Sequence, residues 1–485
     1  MTTLSPKHDW NFCWIGGEKV TLQESLEVID PATGEIAGLV PNGGEALTRS
    51  AVDAAAEAFP AWSKLTAGQR AAYLHDWANR IEADAERLAR LMTSEQGKPL
   101  EESRGEIGGA AAYIRWYAEE GKRAYGDIIP ASRPGQRLMT FRVPVGVAGL
   151  ITPANFPAAM VATKAAPALA AGCTFVLKPA EQTPMIAIAM MEHLLQTGLP
   201  AGAANLVTGN AEEIGRVLMS DPRVRKISFT GSTEVGKILM RQGAEQIKRL
   251  TLELGGNAPV LVFPDADLDR AADLIVGNKF ENAGQVCNGI NLIYAHDDIR
   301  KPLVAKLAER IRGLRVAAGT EPDCRIGPMI DPSYLAKVAR LVDEAVAKGA
   351  NVVVGGHRLT EDAYRNGNFY APTLLDEVTQ DMELTRTEIF GPVAPVLGFS
   401  DETDVLGRCN DTTYGLAAYV FTKEAGRMFR MIDGLDVGNM AINGTSLANP
   451  QAPFGGIKES GIGRVGGYQG LDEYLDWKYV ALTPE

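Results

Sequence analysis

Residues 145–152, VGVAGLIT, open a run in which short apolar segments alternate with longer helical ones. TFVLKPA at 174–180 leads into TPMIAIAMMEHLLQTG at 183–198, ANLVTG at 204–209 into AEEIGRVLMS at 211–220, and KISFTG at 226–231 into STEVGKILMRQGA at 232–244. KRLTLELGG at 248–256 begins the next unit. Strands that are apolar throughout are buried on both faces, and strand-then-helix repetition builds a parallel sheet covered by helices. The run predicts an α/β fold with a Rossmann-type sheet. APVLVF at 258–263, a helix over 267–283, INLIYAH at 290–296 and a helix over 299–312 predict a second α/β unit. Upstream, Ala71, Leu74, Ala78, Ile81, Ala85 and Leu88 recur at helical spacing, and helix continues over 102–120. RLMTFRV at 137–143 reads as an exposed strand, and LDEYLDWKYVALTPE at 471–485 as a helical turn plus a strand with no partner nearby. Pairing these two strands, or pairing the last with another subunit, is the economical solution.

A chain of 485 residues exceeds what one hydrophobic core organises, so two or three domains are expected. The net charge of −12 makes nucleic acid and anionic membrane poor partners, since both need a basic surface. The apolar fraction of 46% excludes a disordered chain. Five cysteines (13, 173, 287, 324 and 409) form no CxxC pair, which suggests a reducing compartment without a disulfide framework. The N-terminal residues lack the apolar core of a signal peptide, and no stretch approaches the ~20 apolar residues of a membrane span. A soluble cytoplasmic protein is expected.

Two glycine-rich motifs mislead. Gly461-Ile-Gly463-Arg-Val-Gly466 fits GxGxxG but follows a loop, without the apolar strand that a dinucleotide fingerprint requires. Gly231-Ser-Thr-Glu-Val-Gly236-Lys237 resembles a P-loop, yet Ile238 stands where a magnesium-binding hydroxyl belongs. Its strand–glycine–helix junction still suits a phosphate. The five histidines (8, 75, 193, 296 and 357) show no spacing suited to a metal. Three other residues sit in suggestive surroundings: Cys287 in a polar turn (NAGQVCN), Glu253 at the end of an apolar strand (TLELGG), and Asn155 between prolines (PANFP). Taken singly, each has an ordinary structural explanation: an inert core thiol, a surface carboxylate, a turn amide.

Together these segments resemble the aldehyde dehydrogenase superfamily over nearly the whole chain. The matching segments, in order, are PANFP, TFVLKPAEQTP, FTGSTEVGK, LELGGNAP, NAGQVC, EIFGPV and PFGGIKESGIGR. LMTSEQGKPLEESRGEI at 91–107 and YAEEGKRAYGDIIP at 117–130 look particularly like the succinate-semialdehyde dehydrogenase branch. The resemblance implies an NAD-binding domain over 1–125 and 145–253, a catalytic domain over 254–455, and a small β bridging element over 126–144 and 471–485 used in oligomerisation, as a homodimer or homotetramer. It implies Cys287 as the nucleophile that attacks an aldehyde, the Asn155 amide and the Cys287 backbone N–H as the oxyanion hole, and Glu253 as the base that deprotonates the water releasing the acid. A free thiol is only about 3% thiolate at pH 7, so Cys287 needs activation. The cofactor implied is NAD, with NADP possible: Gly231 and Ser232 take the pyrophosphate, Lys178 and Glu181 the adenosine ribose, and Glu388, with Phe390 beside it, the nicotinamide ribose. Glu181 should repel the 2′-phosphate of NADP and so favour NAD.

The succinate-semialdehyde branch holds its substrate's distal carboxylate with two arginines and a serine. An ungapped local alignment places Thr163, Leu292 and Ala448 at those positions, and Ala154 replaces a tryptophan common in the family. A buried carboxylate facing Leu and Ala would be left unpaired. A neutral aromatic or aliphatic aldehyde is therefore the expected substrate, with Phe156 and Phe454 also lining the pocket. The alternative is succinate semialdehyde or a related carboxylated semialdehyde, its anion read by an arginine outside the local alignment. A CoA-acylating enzyme usually lacks the carboxylate base that Glu253 supplies, and intact Cys287, Glu253 and Asn155 argue against a non-catalytic homologue.

Overall fold

The computed structural model describes residues 10–484; the first nine residues of the expected cofactor domain, with His8, and Glu485 lie outside it. Within the described residues the apolar run forms the centre of an eight-stranded sheet. Arg249–Glu253, Val224–Thr230, Val147–Ile151, Thr174–Lys178 and Ala204–Leu206 lie side by side in that order, all parallel. Gly461–Ile462 closes one edge antiparallel beside Arg249–Glu253; on the other side Cys13–Ile15 lies antiparallel beside Ala204–Leu206 and Glu18–Val20, antiparallel to it, is the outermost strand. Successive side chains point to opposite faces of each strand. Ala148, Leu150, Phe175 and Leu177 join one core cluster, while Val147, Val176, Ile227 and Leu252 join another across the sheet. Both faces are thus covered, as expected for a parallel sheet.

The helix Pro157–Ala171 follows the first of these strands. Pro157 occupies its first turn, where a missing N–H costs nothing, and Gly172 ends it in the left-handed conformation (φ 94°) that a side chain disfavours. Four helices, Glu45–Trp62, Ala67–Ala83, Ala85–Gln96 and Leu100–Glu120, precede the five parallel strands in sequence.

A second sheet of seven strands is centred on Ile290–His296, Ala258–Val262 and Ala417–Phe421 and has its own core. It departs from expectation at one point. The helix over 267–283 stops at Phe280, and Asn282 (φ 48°) and Ala283 (φ 54°) turn left-handed before Gly284 (φ 75°).

The closing strand Leu475–Leu482 does pair with Arg137–Pro144, antiparallel, in a register running from Leu475↔Pro144 to Leu482↔Arg137. Ile128–Ile129 completes a three-stranded sheet apart from the other two. Among the described residues no helix is long and apolar enough to cross a membrane.

Candidate active site

In open parallel sheets ligands bind beyond the carboxyl ends of the strands, where successive connections depart to opposite sides. Here that point lies at Val147–Ile151, whose neighbours are Thr174–Lys178 on one side and Val224–Thr230 on the other. A cavity of about 330 Å³ opens there. The first sheet and its loops contribute Ile151, Asn155, Lys178, Glu181, Gly231 and Ser232, and the second unit contributes Cys287, Glu388 and Phe390. Eight residues singled out from sequence, spread from 155 to 390, are brought to one space. Glu253 lies behind its wall, next to the lining residues Leu254 and Gly255.

The left-handed turn at 282–284 delivers Cys287 to the cavity. A side chain on Gly284 would meet the Gly391 carbonyl oxygen at 2.1 Å, so the turn is packed against the EIFGPV loop. Cys287 is half-buried. Burial pushes its thiol up to about 12, and the Glu388 and Glu253 carboxylates add to the shift; the Asn288 backbone N–H pulls the other way. Across the boundary between the two units, Asn155 Nδ2 donates to the Gln285 carbonyl at 2.9 Å. A primary amide has two N–H bonds, so a second donor remains for a ligand oxygen near the sulfur. Glu253 is 4% exposed, and neither of its carboxyl oxygens has a hydrogen-bond partner. Burial raises it to about 8 against the opposing pull of Lys164 and Arg464.

The other end of the cavity suits a dinucleotide. Ser232 caps the helix Thr233–Ala244, its hydroxyl accepting from Val235 N, and the helix start faces the cavity with its partial positive charge. A Cβ on Gly231 would strike the Phe229 ring at 2.4 Å, so glycine keeps that junction close to the strand. Lys178 Nζ pairs with Glu181 at 2.6 Å, the lysine buried and the glutamate partly exposed. Glu388 accepts from Gly256 N at 3.1 Å, and burial raises its carboxyl to about 7. Donors able to meet a phosphate and carboxylates able to accept from hydroxyls thus line one cavity.

The five residues expected in the substrate pocket do not line this cavity. Leu292 requires the clearest correction. It sits in the central strand Ile290–His296, is 3% exposed, and packs in the core of the second sheet, away from the carboxyl end of the strand. Thr163 is also buried, its hydroxyl donating to the Met160 carbonyl within its own helix. Ala448 is exposed. Phe454 is half-buried in an isolated bridge to Val465, and the Phe156 ring lies 4.0 Å from Lys98 Nζ.

Sequence reasoning overlooked Lys164, which is fully buried beneath Glu253 and donates to Thr230 Oγ1 at 2.8 Å. Its signal was there: a lone lysine in the otherwise apolar helix VATKAAPALAA. Asn282, whose Nδ2 donates to the Asn155 carbonyl at 2.9 Å, was also missed.

Comparison with known proteins agrees with this geometry. The aldehyde dehydrogenase family model matches residues 17–480. The chain is 48% identical to the NADP(+) succinate-semialdehyde dehydrogenase of Escherichia coli K12 over 95% of its own length and 94% of that protein. It is 47% identical to glutarate-semialdehyde dehydrogenase of Pseudomonas putida, over 95% of each. Its fold superposes on a crystal structure of succinate-semialdehyde dehydrogenase from Burkholderia pseudomallei with a TM-score of 0.97 at 43% identity, covering 100% of both chains. A thiol, a free amide donor and a buried carboxyl at one cavity thus come with family-wide similarity: the chain belongs to the aldehyde dehydrogenase family, oxidoreductases acting on aldehydes with NAD(P).

Proposed function

We propose that the chain oxidises a semialdehyde carrying a remote anionic group to the corresponding acid. The observation that carries the chemistry is the convergence of Cys287 with the Asn155 amide on one cavity, with the unpartnered Glu253 carboxyl behind it. Cys287 gives its thiol proton to solvent water as its sulfur bonds to the carbonyl carbon, and the oxygen, now an alkoxide, accepts from the free Asn155 N–H and the Cys287 backbone N–H. Bound NAD(P)+ supplies the hydride acceptor. Cys287 then carries the acyl group as a thioester. Glu253 takes a proton from water, whose oxygen adds to the acyl carbon; the carbon–sulfur bond breaks, the thiolate regains a proton, and the acid departs.

The substrate class is supported by relatives named for succinate and glutarate semialdehydes at 47–48% identity. The second reading, a neutral aromatic or aliphatic aldehyde, is favoured by the absence of arginine among the residues lining the cavity. Steady-state kinetics separate the two. Succinate or glutarate semialdehyde should exceed benzaldehyde and hexanal in kcat/KM by at least about tenfold, or about 1.4 kcal/mol. A neutral aldehyde that wins the comparison overturns the first reading.

For the cofactor, Glu181 is already tied to Lys178, so its charge is partly neutralised. Swinging aside, it leaves the ammonium free to meet a 2′-phosphate. NAD and NADP should both support turnover, and Glu181→Ser should shift the kcat/KM ratio toward NADP. An unchanged ratio removes Glu181 from cofactor choice. The bridging sheet is assigned to a homo-oligomer.

A further inference from the structure

Lys98 stands in the turn between the helices Ala85–Gln96 and Leu100–Glu120, within the 91–107 stretch, and its side chain is fully buried. A buried ammonium persists only where its charge and hydrogens are met. Lys98 Nζ meets two acceptors: Glu106 Oε2 at 2.5 Å and the Asn155 carbonyl at 2.7 Å. The Phe156 ring lies 4.0 Å from the same nitrogen. The other Glu106 oxygen accepts from Ala158 N at 2.9 Å and Ala159 N at 3.1 Å, the first turn of the helix Pro157–Ala171. The Asn155 carbonyl is held a second time by Asn282 Nδ2, and Asn282 Oδ1 in turn accepts from Gln96 Nε2 at 2.8 Å. The backbone is thus clamped at Asn155, at the next side chain, and at the helix start beyond. Neither Lys98 nor Glu106 lines the cavity.

We propose that Lys98, paired with Glu106, is a positioning residue that fixes the Asn155 backbone so that the free side-chain N–H faces the oxygen developing at Cys287. An oxyanion donor works only when held ready, since a donor that must reorient gives back what its hydrogen bond supplies. An ion pair remote from the sulfur would then act on the chemical step through one amide.

The inference rests on the oxyanion role given to Asn155 above, and a double-mutant cycle tests the two separately. Lys98→Met with Glu106→Gln removes both charges, so neither remains unpaired, and Gln keeps an acceptor for Ala158 and Ala159. The pair substitution and Asn155→Ala are made alone and together, and the NADH burst rate at saturating cofactor and aldehyde is measured with the NAD dissociation constant. Asn155→Ala should slow the burst about 100- to 1,000-fold, as removal of such a donor does elsewhere. The pair substitution should slow it at least about tenfold in the wild-type background and less than about threefold once Asn155 is gone, with the NAD dissociation constant unchanged, because residues acting through one group are not additive. Equal losses in both backgrounds, or no loss in the first, overturn the positioning role. An Asn155→Ala burst at the wild-type rate overturns the oxyanion reading instead. If the pair variant does not fold, Glu106→Gln alone goes through the same cycle, keeping side-chain volume and the acceptor for Ala158 and Ala159 while losing the one for Lys98, and is judged by the same non-additivity.

Discussion

Glu253 illustrates how the surroundings of one side chain set its chemistry. Its carboxyl is buried without a hydrogen bond, and burial outweighs the attraction of Lys164 and Arg464, raising it to about 8. Lys164 is displaced the opposite way, to about 7, because burial disfavours its charged form too. A raised carboxyl is protonated at neutral pH and gains its base form only as pH climbs through that value. Where thioester hydrolysis limits turnover, kcat should therefore rise between about pH 7 and 9 along a limb centred near 8. Lys164→Met removes an attraction and should move the limb to higher pH. Glu253→Gln should keep a first-turnover NADH burst and then stall, with the limb gone. Loss of the burst as well would mean that Glu253 also takes the Cys287 proton, a role compatible with a thiol held up to about 12 in the free enzyme.

At the scale of elements, the left-handed turn at 282–284 converts the end of a helix into a platform for the nucleophile. Gly284 has φ 75° and its missing Cβ points at the Gly391 carbonyl, so alanine there is strained in backbone and in packing at once. Left-handed backbone alone costs about 1–2 kcal/mol for an L-residue. Gly284→Ala should lower the melting temperature and also cut the burst amplitude, because any relief of the clash moves Cys287 relative to Asn155. Full burst amplitude in a destabilised variant would show that the turn only stabilises. The strands Val147–Ile151 and Thr174–Lys178 were legible because burial on both faces leaves a mostly apolar run. The turn was not: apolar spacing through Ala271, Ala272, Ile275 and Val276 runs on to Ala283, and Asn tolerates left-handed backbone without announcing it. Leu292 was misplaced for a related reason. A local alignment shows where a residue stands in a strand, but not that both faces of that strand are already covered. The Lys98–Glu106 clamp is equally invisible one-dimensionally, since its meaning lies in Asn155, dozens of residues away.

For the whole molecule, the three-stranded sheet is the element least explained by a single chain. Its strands Leu475–Leu482 and Arg137–Pro144 satisfy each other's backbone, yet Trp477 is 57% and Tyr479 59% exposed on one face, and Phe141, Leu482 and Ile128 are exposed on the other. Trp477 and Tyr479 are two apart, so they project from the same face, and Arg142 stacks on Trp477 at 4.3 Å, leaving the other side of the ring uncovered. Aromatic side chains placed in water without a partner mark an interaction surface more often than chance exposure. Each has about three-fifths of its surface left to bury, or ~90–150 Å² of the 150–250 Å² such a side chain buries in full, which at ~25 cal/mol per Å² is about 2–4 kcal/mol before the costs of association. A second copy of the chain offers the same face, and a homo-oligomer repeats that gain at every equivalent contact. The wild-type protein should therefore sediment as a dimer or larger at micromolar concentration, and Trp477→Glu with Tyr479→Glu should sediment as a smaller species. The Cys287 cavity is lined by neither residue, so a fall in kcat that accompanies dissociation would show that assembly also supports the site. An unchanged sedimentation coefficient in the double variant would remove this sheet from the interface.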